Sequence, residues 1–158
     1  MDNILIEGVT MTLSNSIHLI EHYNRLYGFD LLDAYDHCVL VLTKFALLNQ
    51  AKGQDARQVQ VALADAYIAL VMMADSYARV EGLGGKVRIR EDLPSLTQAF
   101  TTLALDVSFD RDLTPALSDL VAHLWQEAEN LGYDLDQCLI QRVTDLLNTE
   151  EMDYAAMG

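Results

Sequence analysis

The residues most able to do chemistry in this chain are carboxylates in apolar, periodic stretches. Asp65, Asp75, Asp119, Glu127 and Glu129 all lie there. Hard divalent cations such as Mg²⁺ are held by several carboxylate oxygens converging from neighbouring elements, where they can bind a triphosphate and activate water. Asp65 and Asp75 stand ten residues apart on one expected helix, off a common face at 3.6 residues per turn. A metal site must therefore draw on a partner helix, and no partner segment carries an acid triplet.

A second constellation is His18-Leu19-Ile20-Glu21-His22, the inverted zinc-protease string, whose two histidines share one helix face. No downstream glutamate motif supplies a third ligand, so the expected reading is an amphipathic helix with His and Glu on its wet side. His37 follows Asp33, and His123 follows Asp119, by four residues, the spacing of a helical ion pair or of a contact supporting a ligand. Cys38 and Cys138 lie in apolar helical stretches without a nucleophile's context and read as reduced, buried thiols. The string Gly82-Leu83-Gly84-Gly85-Lys86 lacks the spacing and the Ser/Thr of a P-loop. Trp125, Met72, Met73, Tyr67 and Tyr77 read as core.

The elements that must position these residues are helices. Both prolines fit helix starts and the glycines cluster between periodic segments, which predicts an all-α bundle of about six helices in one domain, 1–158. The first spans about Leu13 to Tyr27, with Gly28 as its stop. The second is expected to start at Asp30, and Asp55 with Gln58 opens a third, long and central helix ending near Gly82. Ser95 with Gln98, Thr114 before Pro115, and Asp134 with Gln137 mark the remaining starts. Residues 82–93 form a linker holding Lys86, Arg88 and Arg90, and the acidic tail 149–158 is expected to fray or dock.

An internal duplication of a helical-hairpin unit is expected. Residues 40–79 superpose on 94–133 without a gap, pairing Leu42 with Leu96, Arg57 with Arg111, Ala62 with Ala116, Asp65 with Asp119 and Leu70 with Leu124. Gly28-Phe29-Asp30-Leu31 is echoed by Gly132-Tyr133-Asp134-Leu135, a helix-ending glycine followed by the next helix's cap.

The unit, Ala-Leu-x-Asp opening an apolar helix that ends at Leu-Gly-Tyr-Asp-Leu, resembles the all-α NTP pyrophosphohydrolases of the MazG type. That resemblance implies a Mg²⁺ site built from Glu-Glu-x-x-Glu on one helix and Glu-x-x-Asp on the next. Only the last acid survives in each copy, Asp65 and Asp119. The preceding glutamate is alanine (Ala62, Ala116), and the upstream stretches read Thr43-Lys44-Phe45-Ala46-Leu47 and Gln98-Ala99-Phe100-Thr101-Thr102. Asp65 and Asp119 are thus candidate metal residues, with Mg²⁺ the cofactor if the chain is an enzyme. Alternatively they are helix-opening acids that pair with Arg57 and Arg111, eight residues earlier in each copy.

With 10 Lys+Arg against 24 Asp+Glu and a net charge of −14, direct nucleic-acid binding is not expected, because neutralising phosphates dominates that affinity. The N-terminal stretch Met1 to Glu7 is no secretory signal, and the most apolar run, Val59 to Ala74, is interrupted by Asp65 and short for a membrane span. The expectation is a cytoplasmic, acidic helical protein that binds a protein partner, basic partners included, as a monomer or homodimer and without catalysis. A Mg²⁺-dependent pyrophosphohydrolase with an atypical site is the alternative.

Overall fold

Short polar side chains set most of the helix starts by accepting backbone N–H groups that the first helical turn leaves unpaired. Thr12 accepts from Asn15 N and opens α1 (Leu13–Leu26). Asp33 accepts from Asp36 N and opens α2 (Ala34–Ala51), and Asp55 does the same with Gln58 N for α3 (Ala56–Tyr77). Ser95 and Gln98 form a reciprocal capping box at α4 (Leu96–Ser108). α5 covers Thr114–Leu131. Asp134 accepts from Asp136 N and Gln137 N ahead of α6 (Leu135–Met157). The computed structural model describes residues 4–6, 9–78 and 92–157, with side chains over 11–78 and 92–149. Among them the architecture is the expected all-α bundle of six helices.

Several local expectations are corrected. The α2 start is Asp33, not Asp30, because a 3-10 turn (Phe29–Leu31) intervenes after Gly28. That turn is held from the side: His37 Nε2 donates to Phe29 O at 2.9 Å, and the Tyr77 hydroxyl donates to Leu32 O. His37 therefore serves a carbonyl rather than pairing with Asp33, and burial lowers its pKa and keeps the ring neutral. Tyr77 is 40% exposed and stacks edge-on against His37, so it belongs to this brace and not to the core. Thr114 is the first helical residue, not a cap; Asp112 Oδ1 takes its N–H while buried Leu113 anchors the turn. The segment 149–157 of the expected tail continues α6, which is helical to Met157. Residues 4–11 add an antiparallel hairpin, β1 (Ile4–Ile6) with β2 (Val9–Met11), in register Ile4↔Met11. The expected linker lies outside the described residues over 82–91.

α3 is the centre of the bundle. Eleven of its residues are buried, from Val59 to Ala74, and it packs against α1, α2, α5, α6 and the 3-10 turn. α4 closes the far side against α5 and α2, where the Phe45 and Phe100 rings meet edge-to-face at 5.2 Å. By length and mean hydropathy α3 could cross a membrane, but its apolar surface is mostly consumed by neighbouring helices, as in a core helix. The two segments paired by the expected duplication cover most of the α2–α3 and α4–α5 hairpins. Their matched arginines have different partners, Arg57 with Asp145 and Arg111 with Asp106.

Gly28 and Gly132 both follow helix ends in the left-handed region, at φ +76° and +85°. A Cβ at Gly132 would meet nothing within 4 Å, so its replacement isolates the backbone effect. Gly132→Ala is expected to lower stability by about 1 kcal/mol. Gly53→Ala, where the space is equally open and φ ordinary, should be neutral or stabilising. Urea denaturation of both variants checks this pair.

Candidate functional site

Asp65 sits in the tenth position of α3, between buried Ala64 and Ala66. It is therefore mid-helix and not an acid at the dipole's positive end. From α6, whose Leu139 and Val143 face the core, Arg142 reaches back to it. Arg142 Nε lies 2.8 Å from Asp65 Oδ1 and Nη2 lies 3.5 Å from Oδ2, so both carboxylate oxygens face one guanidinium. Both side chains are only about a quarter exposed, 27% and 25%. One turn along α6, Asp145 accepts from Arg57 Nη2 at 2.9 Å and from Gln141 Nε2 at 2.9 Å.

These pairs line two adjoining clefts of about 230 and 400 Å³ that share Arg57 and Val61. Lys44 of α2 and Asp55 line the second cleft with Asp65. Asp65 thus pairs with Arg142, not with Arg57. A guanidinium already fills the lone pairs that a cation would need and repels a divalent ion. Among the described residues no three His, Cys, Asp or Glu side chains converge to hold a metal. The donor set around Asp65 does not fit Mg²⁺.

The other candidates are dispersed. Asp119 is half-buried in the second turn of α5. Asp75 pairs with Arg25 at 2.7 Å and Glu127 with Lys52 at 2.5 Å. His123 Nε2 lies 2.5 Å from Pro94 O. His18 and His22 are exposed; Glu21 pairs with His18 at 3.6 Å, and its own pKa is raised by burial and then by the neighbouring Asp75. Both cysteines are free thiols, Cys138 pushed up to about 11 by burial with Asp134 adding to it. Neither is poised as a thiolate nucleophile.

A surface not foreseen in the sequence lies on the outer side of α2. Its inner face buries His37, Val41, Phe45 and Leu48. Its outer face carries Tyr35, Val39 and Leu42, 57%, 62% and 52% exposed, continued by Ala46 and preceded by Leu31 at 84%. An apolar set on both faces reads in sequence as a buried helix, which masks the outer stripe. Asp30, Asp33 and Asp36 stand at its N-terminal end.

Two outcomes follow from the electrostatics. Arg142→Met leaves a partly buried carboxylate unpaired and is expected to cost about 1–2 kcal/mol. The double change with Asp65→Leu should cost less than the two single changes summed, as a double-mutant cycle by urea denaturation would show. Asp136, whose Oδ1 is buried without a partner, is pushed up to about 6 by burial, with Asp134 adding to it. The fold thus favours its protonated form; that stability is present below about pH 4 and lost as pH rises through 6. Asp136→Asn is expected to be more stable than the parent by about 1 kcal/mol at pH 7.5 and equal to it near pH 4, read from melts across that range.

Comparison of the chain with protein-family models, with curated proteins and with solved structures gave no match.

Proposed function

We propose that this is a non-catalytic, acidic helical binding protein on a MazG-like scaffold, built by duplication of a helical hairpin and acting in the cytoplasm on a protein partner. The observation that carries this reading is the Asp65–Arg142 pair. In the family it resembles, that aspartate faces a divalent cation, whereas here its carboxylate is satisfied by a cation of the chain itself. The partner surface is the outer stripe of α2, which is apolar along Tyr35, Val39 and Leu42 and acidic at its N-terminal end. Contiguous exposed apolar residues rimmed by charge mark interaction sites, and the acids favour a partner with basic groups at that edge. The two free thiols suit a reducing compartment.

The test combines turnover and binding. The full chain with Mg²⁺ and each of the common ribo- and deoxyribonucleoside triphosphates is expected to release no pyrophosphate. Pyrophosphate release that disappears in Asp65→Asn would replace this reading with a Mg²⁺-dependent pyrophosphohydrolase. In parallel, pull-down from the native cytosol is expected to recover a protein that is lost with Val39→Glu/Leu42→Glu and weakened by salt. Recovery indifferent to those substitutions removes the α2 surface. Sedimentation of the same samples reads whether one chain or two is present.

A further inference from the structure

A separate cavity of about 440 Å³ opens between α1, α3 and α6, and its walls include Ile20, Tyr23, Ile68, Met72 and Val143. Its size falls in the range of small-molecule sites, which are mostly apolar with a few placed polar groups. Here the placed group is Asn24, which lines the cavity and is 1% exposed.

The orientation of the Asn24 amide is determined by its neighbours. Nδ2 lies 3.0 Å from Asp75 Oδ2, 3.0 Å from Ser76 Oγ and 3.3 Å from Met72 O, three acceptors on α3. Ser76 Oγ spends its proton on Met72 O, and Asp75 is held by Arg25 at 2.7 Å. Turning the amide over would set its oxygen against those acceptors, so Oδ1 stays on the opposite side, buried and with no donor. A buried acceptor without a donor is costly, and an N–H or O–H that reaches Oδ1 from the cavity by displacing the side chains covering it removes that cost. The Asp75 carboxylate beside Asn24 disfavours an anionic ligand.

We propose that this cavity binds a small, uncharged, largely apolar molecule carrying one N–H or O–H donor, which Asn24 Oδ1 accepts. The site is independent of the α2 surface and of the Asp65 cleft. Indole and 1-methylindole probe it, because they share a ring system and differ in the donor. In thermal melts and calorimetry on the full chain, indole is expected to raise the melting temperature saturably and to bind about tenfold tighter than 1-methylindole. Ile68→Trp and Leu146→Trp fill the cavity from two sides and are expected to remove the response. Leu146 is 42% exposed at the lining, so its variant keeps the test decisive even if Ile68→Trp does not fold. Absence of saturable indole binding, equal affinity for the two probes, or undiminished binding in Leu146→Trp would overturn the assignment.

Discussion

The rest of the structure depends on the need to cover α3 on every side. Its buried residues include Leu63, Ala64, Ala66, Tyr67, Leu70, Val71 and Met73, which point in all directions around a 22-residue helix. A helix of that composition is stable in water only when other apolar faces enclose it. α1, α2, α5 and α6 supply those faces, and α4 is recruited at second hand through α2 and α5. α6 packs along α3, so that Arg142 of α6 reaches Asp65. Asp65 and Asp75 are the two carboxylates of α3, and each is met by an arginine from another helix.

That pairing shapes what the chain can do. With 24 acids and 10 bases, cations are scarce, and Arg25, Lys52, Arg57, Arg111 and Arg142 are each committed to a carboxylate. Asp65 and Asp75, the carboxylates of the central helix, are so engaged, whereas metal catalysis needs such groups gathered and unpaired. Two features of the described residues stand apart from these pairs: the outer stripe of α2 and the pocket beside Asn24. Both arise where α1, α2 and α6 cover α3 incompletely or present a second apolar face.

Much of the fold was legible in the sequence because capping and periodicity are local. Asp55, Ser95 and Asp134 marked their helix starts, and Gly28 and Gly132 marked helix ends through backbone freedom alone. The misplaced start at Asp30 has a non-local cause. His37 and Tyr77 hold the 3-10 turn, and Tyr77 lies 45 residues downstream of its acceptor. The candidate site was legible only as a list of acids; Asp65 was singled out, but its partner Arg142 lies 77 residues away on α6.

By itself, then, the sequence determined an acidic, all-helical chain with a central apolar helix, since net charge, caps and hydrophobic period are properties of neighbouring residues. Only the tertiary structure decided which cation each acid meets, which face of α2 is left outside, and that Asn24 keeps an unpaired oxygen beside a cavity. Those outcomes depend on helices distant in the chain packing side by side, where buried polar groups must find partners from another element.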